Sequence, residues 1–129
     1  RPYRITCLSV GNPHCVVFAD RIDTIDLQTV GPQFENADIF PERVNTEFVR
    51  VVNRNMLRMR VYERGNGETN ACGTGACAAV VAAVENGFCN RGEPITVKVR
   101  GGDLVAVYDG DRVSLTGDAV RVFSGCFEY

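Results

Sequence analysis

The sequence predicts an α+β fold in which antiparallel strands are built around one buried helix. Three observations lead there. The run Ala76-Cys77-Ala78-Ala79-Val80-Val81-Ala82-Ala83-Val84 carries almost no polar side chain, and a helix apolar all round must be covered on all sides. Short β-rich segments separated by Gly, Asn and Asp turns flank it on both sides. Finally, 129 residues with 45% hydrophobic and 23% charged content suit a single domain with a real core.

Taken in order, Tyr3 to Val10 alternates around Ile5, Cys7, Leu8 and Val10 and reads as a strand. Gly11-Asn12-Pro13-His14 is turn chemistry, with His14, the sole histidine, as a turn residue in a satisfied hydrogen bond. Cys15 to Phe18 resumes as a short buried strand. Apolar residues at Ile22, Ile25, Leu27, Val30 and Phe34 have helical spacing, with Asp26 as N-cap. Gly31-Pro32 stops that helix and can open another, and Phe40 to Arg43 closes the excursion. Phe48 to Val52 and Met56 to Tyr62 are strands joined by an Asn53-Arg54-Asn55 turn, and Asn45 stands at a loop edge before them.

From Tyr62 the chain crosses a loop carrying Glu63-Arg64, Gly65 and Gly67, and brings Cys72 to the start of the buried helix. Asn86-Gly87 supplies a left-handed stop. Ile95 to Val99, Leu104 to Tyr108 and Arg112 to Leu115 form three short strands, joined through Gly101-Gly102 and Asp109-Gly110-Asp111. Asp118 to Tyr129 adds a last strand. There is no repeat, low-complexity stretch or long linker.

Composition removes several functional classes. The net charge is −2, and the 13 Arg and 1 Lys are scattered with no basic stripe, which argues against nucleic acid as a partner. No apolar run approaches the roughly 20 residues of a membrane span. Cys7, Cys15 and Cys77 sit in apolar segments, where free cysteine behaves as a small hydrophobe. With no secretion signal, the six cysteines are expected to be reduced thiols in a cytoplasmic protein. The start Arg1-Pro2-Tyr3 has no methionine, so an internal piece of a longer protein is expected.

Cys72-Gly73-Thr74-Gly75 puts a thiol where unpaired backbone N–H groups and the positive end of the helix dipole converge. That setting favours the thiolate, and the same N–H groups can seat a carboxylate or phosphate. The bland alternative is a small buried residue at a tight turn. Gly73-x-Gly75-x-x-Ala78 formally matches a dinucleotide fingerprint, but no strand precedes it directly and Glu93 begins a strand instead of ending one. A metal site has little support, because Cys72 and Cys77 lack CxxC spacing. A cysteine hydrolase with Cys72 as nucleophile and His14 as base stays open on composition.

A further possibility is proton transfer at the α-carbon of an amino acid. Inversion there needs a base on one face, an acid on the other and a tightly held carboxylate. Cys77 is turned about 140° round the helix from Cys72 and lies about 7.5 Å along it, so it cannot serve the opposite face. The second acid must come from outside this chain.

The run Glu63-Arg64-Gly65-x-Gly67-Glu68-Thr69-x-Ala71-Cys72-Gly73-Thr74-Gly75-Ala76 resembles the C-terminal signature of the diaminopimelate epimerase family. Gly11-Asn12-Pro13-His14-Cys15 and Phe40-Pro41-Glu42-Arg43-Val44-Asn45 resemble two further motifs of that family, in the same order. Asn66, where a small residue is common, is a minor departure. The resemblance implies a lobe with a mixed sheet curled round a central helix, one of two such lobes in the enzyme. It implies interconversion of LL- and meso-diaminopimelate in lysine and cell-wall biosynthesis, with no cofactor and no metal. It makes Cys72 a catalytic acid/base, with Glu63 and His14 beside the cysteines. It assigns Asn12, Asn45, Glu63 and Arg64 to substrate, and Gly73 and Thr74 as N–H donors to its carboxylate.

The resemblance also implies residues 1–117 as the lobe and residues 118–129 as a strand returning to an N-terminal lobe that is not in this chain. That lobe is the expected partner and carries the other cysteine; a homodimer is possible. Alone, the chain is expected to be inactive. Two alternatives stand beside this one: a related proline or hydroxyproline racemase, and a non-catalytic thiol or ligand-binding domain.

Overall fold

The computed structural model describes residues 4–10, 13–24, 45–63, 67–69, 73–117 and 124–128. In chain order the elements are β1 (Arg4–Ser9), β2 (Pro13–Phe18), a 3₁₀ turn (Ile22–Thr24), β3 (Asn45–Asn53), β4 (Met56–Glu63) and β5 (Gly67–Thr69). The helix α1 (Gly73–Glu85) follows, then β6 (Ile95–Val99), β7 (Gly102–Tyr108), β8 (Arg112–Gly117) and β9 (Ser124–Glu128). The strands form one mixed sheet in the order β1-β2-β3-β4-β6-β7-β8-β9, with β5 paired to β4 off this path. This is the expected α+β lobe.

The helix dictates that arrangement. Alanine is the best helix former and proline is absent from the segment, so propensity favours α1. Its nine residues from Gly75 to Ala83 are all buried, and it touches β1, β2, β3, β4, β6, β7 and β8. A sheet that meets one helix from seven strands has to curve around it. Val16, Val49, Leu57, Met59, Val61, Ile95, Val97, Ala106, Val113 and Leu115 pack with the helix in one core.

Two of the pairings are parallel, β2 with β3 and β4 with β6. One edge of β4 is shared: Met56–Arg58 pair with Thr96–Lys98 of β6, and Val61–Glu63 pair with β5. The sheet therefore divides along β4.

Several boundaries move. The turn between β3 and β4 is two residues, Arg54 and Asn55, because Asn53 joins the ladder opposite Met56. Gly67–Thr69, expected within a loop, is a short strand because β4 offers it a free edge. His14, expected in a turn, lies within β2, and Asn45, expected at a loop edge, opens β3. Their parallel pairing, His14 opposite Asn45, extends both strands. Cys7, expected in an apolar segment, is exposed, since β1 is an edge strand whose Ile5 faces outward too. Of the helix expected over Ile22 to Phe34, only Ile22–Thr24 is described, as the 3₁₀ turn; Asp26 lies outside the described residues.

The helix and the β7–β8 turn end where the sequence says, whereas β7 begins at Gly102, inside the expected Gly101-Gly102 turn, because Gly102 and Asp103 pair with Val99 and Lys98. Gly87 has φ 81°, Phe88 N–H donates to Ala83 O at 2.8 Å and Gly87 N–H to Val84 O at 3.0 Å, the paired bonds of a Schellman cap. Tyr108, buried in β7, sets its hydroxyl 3.0 Å from Glu85 Oε2 and 3.1 Å from Gly110 O, tying the helix end to the β7–β8 turn. In that turn the backbone N–H groups of Arg112 and Asp111 donate to Asp109 and hold its carboxyl below the ordinary value. No helix among the described residues is long and apolar enough to cross a membrane.

Two substitutions test this account. Ala79→Leu forces a larger side chain into a fully covered helix face and should cost about 1–3 kcal/mol in urea unfolding. Gly87→Ala meets no atom within 4 Å, so its cost should be the left-handed backbone alone, about 1 kcal/mol.

Candidate active site

The site begins at one end of the sheet. Because β2 and β3 run parallel, both start there, at Pro13 and Asn45. Because β4 runs antiparallel to β3, it finishes there, and the backbone of Glu63 lies one step beyond the Thr46–Tyr62 pair, level with Asn45. β5 pairs with that end of β4, and α1 opens at Gly73 shortly afterwards. Three segments far apart in sequence are thereby gathered by topology.

His14 and Asn45 are buried, at 1% and 7% exposure, on adjacent strands. On the same strand face as Asn45 comes Glu47, two residues on and also wholly buried. Glu47 Oε2 lies 2.7 Å from His14 Nδ1. That face is the inner one, since Glu47 stands opposite Val61 and His14 is two residues from Val16, both members of the helix-lined core. An ionised carboxylate in such surroundings is strongly unfavourable unless paired and hydrogen-bonded, and the imidazole provides that partner at Oε2.

Gly73 and Thr74 form the first turn of α1, where backbone N–H groups have no helical partner. A Cβ on Gly73 would lie 3.1 Å from Leu115 Cδ2. The helix start is therefore pressed against β8 where only a hydrogen fits comfortably. Of the remaining predicted site residues, Asn12, Arg64 and Cys72 lie outside the described residues, and Glu63 is placed by its backbone.

Glu47 was missed by sequence reasoning, which began the strand at Phe48. The available signal was the alternation Asn45, Glu47, Val49, which puts two polar residues in line with a core valine. Only the parallel pairing with β2 makes it legible.

Next to this cluster stands Cys15, buried, opposite Cys7 in the β1–β2 ladder. Burial, then Cys7 and then Glu47, push its thiol well above the ordinary value. It is therefore held as a neutral thiol, unlike a cysteine at a helix N-terminus. A groove of about 680 Å³ opens elsewhere, on the side of β4 away from the helix, between Arg58, Arg60, Lys98, Asp23 and Asp103. Its charges are engaged: Arg58 with Asp23 at 3.2 Å, Lys98 with Asp103 at 3.1 Å, and Arg60 Nη1 donating to Ile22 O at 2.7 Å. It contains none of the predicted site residues.

Residues 6–122 match the profile of the family described as diaminopimelate epimerase. The chain belongs to the diaminopimelate epimerase family. It is 50% identical over 128 residues to the diaminopimelate epimerase of Pelotomaculum thermopropionicum, covering 98% of this chain and 45% of that protein. With the diaminopimelate epimerase of Desulfovibrio desulfuricans it shares 51% identity over 125 residues, covering 95% of this chain and 43% of the other. The chain thus spans less than half the length of these relatives. In fold it is similar to the phenazine biosynthesis protein of the PhzF family from Bacillus anthracis. There the TM-score is 0.61 at 20% identity, over 88% of this chain and 38% of the other.

The two thiols on β1 and β2 should differ in reactivity. Exposed Cys7 should be alkylated in the native protein at neutral pH, whereas Cys15 should be modified only on unfolding. Peptide mass mapping after timed labelling measures both.

Proposed function

We propose that this chain is the C-terminal lobe of a cofactor-independent diaminopimelate epimerase, interconverting the LL and meso forms by proton transfer at the α-carbon. The observation that carries the proposal is the gathering of His14, Asn45 and the end of β4 at one end of the sheet, in the order of the epimerase motifs. The helix start that follows Cys72 offers the positive end of the helix dipole and its first-turn backbone to a carboxylate.

In this proposal Gly73 and Thr74 donate backbone N–H groups to the carboxylate at the reacting carbon. Arg64 pairs with a carboxylate as a bidentate donor, and Asn12, Asn45 and Glu63 make further contacts with substrate. The thiolate of one cysteine removes the α-proton, and the electron pair spreads into the carboxylate gripped by the helix start. The thiol of the other cysteine returns a proton on the opposite face. Cys72 is one of that pair. The other comes from the complementary N-terminal lobe, so the isolated chain should not turn over. Residues 118–129 are assigned to that lobe in the whole enzyme, whereas in the isolated chain β9 lies along β8. A cytoplasmic location and a homodimer of the whole enzyme belong to the same proposal.

The test is isotope exchange. meso-Diaminopimelate in D2O should gain deuterium at its α-carbon when this chain is mixed with the complementary lobe. It should gain none with the chain alone, and the mixture should lose at least 10²-fold with Cys72→Ala. Exchange by the isolated chain that persists in Cys72→Ala contradicts the assignment. If associated lobes give no exchange with diaminopimelate but do with proline, the substrate is that of a related racemase.

A further inference from the structure

The His14–Glu47 pair carries a consequence for proton transfer. A carboxylate placed on the inner face of the sheet among valines is a costly way to fill space, and an apolar residue there would pack at least as well. What the carboxylate gives the imidazole is orientation and a fixed site of protonation. Glu47 Oε2 lies 2.7 Å from Nδ1, and an ionised carboxylate can only accept, so pairing with it selects the ring form that carries its proton on Nδ1. Any proton the ring takes or gives must then pass through Nε2. A carboxylate behind an imidazole also fixes the ring's orientation, since the ring cannot rotate without breaking the bond.

The strands make this a rigid device. His14 and Glu47 lie on directly hydrogen-bonded parallel strands, with His14 opposite Asn45 and Glu47 opposite Val16. Both side chains are fully buried, so water does not compete for the bond. Glu47 is itself flanked on its second side by Val61 of β4, two residues before Glu63.

Resting on the epimerase reading above, we propose that Glu47 is a positioning residue: it locks the His14 imidazole with Nδ1 as the donor, so that Nε2 tunes the protonation of the cysteine pair. Glu47 acts through His14 and does not touch substrate.

The chain has one histidine, so its imidazole signals are unambiguous. In the 15N-labelled 129-residue chain, the ring proton on Nδ1 should be seen at low field and be protected from water exchange. Glu47→Gln, which keeps shape and removes charge, should move it to the ordinary range or abolish it. In the assembled two-lobe enzyme, Glu47→Gln should lower kcat for α-deuterium exchange on the order of 10–100-fold, as when a group orienting an imidazole is removed. KM should change by less than about twofold, since no ground-state contact to substrate is lost. In a His14→Gln background, Glu47→Gln should add no further loss.

An unchanged ring proton in Glu47→Gln overturns the proposal. So does a wild-type kcat, or losses from the two substitutions that add. Wild-type lobes that associate and show no exchange sink the epimerase reading instead, and with it this role. Wild-type exchange with an unaffected Glu47→Gln sinks only the positioning role.

Discussion

A helix with no polar face has no way to meet water, and this constraint governs the lobe. Most helices bury one stripe and leave the rest exposed. Here Gly75 to Ala83 are covered all round, and the small side chains of Ala76, Ala78, Ala79, Ala82 and Ala83 let strands approach closely on several sides. The only element that can cover a cylinder with small residues so completely is a curved sheet. The parallel pairings of β2 with β3 and β4 with β6 follow as the connections that close the sheet around the helix without leaving the core open.

The same constraint locates the chemistry. A buried helix still has first-turn N–H groups that find no partner within the helix itself, and its start carries the positive end of the dipole. In this fold that start follows β5, which pairs with the end of β4, and packs against Leu115 of β8. The polar residues the core does admit, His14, Asn45 and Glu47, collect where β2 and β3 begin and nowhere else among the described buried residues except for Thr46 beside them. Polar burial here is local: His14 and Glu47 are paired, while the Thr46 hydroxyl beside them is buried with no hydrogen-bond partner among the described residues.

The contrast with the outer side of β4 is instructive. There Arg58, Arg60 and Lys98 line an open groove, and their charges are compensated by Asp23, Asp103 and a backbone carbonyl within the lobe. Exposed pairs of this kind contribute little each. The cluster at His14 consists of fewer groups in a drier setting, where each hydrogen bond has more leverage on protonation. Volume of cavity and density of charge therefore point to one place, and buried polar chemistry to another.

By itself the sequence determined the buried helix, its cap at Gly87, the hairpins of β6 to β8 and, through three ordered motifs, the family. These are encoded locally: in alanine content, in a left-handed glycine, in turn residues and in runs of side chains of fixed spacing. Only the tertiary structure decided that His14 belongs to a strand, that Asn45 opens another, that Gly67–Thr69 pairs with β4, and that Glu47 reaches His14. Each of these depends on which strand lies beside which. The parallel register of β2 and β3, two strands that both pack on the helix, joins segments about thirty residues apart, and no window of sequence containing either strand alone carries it.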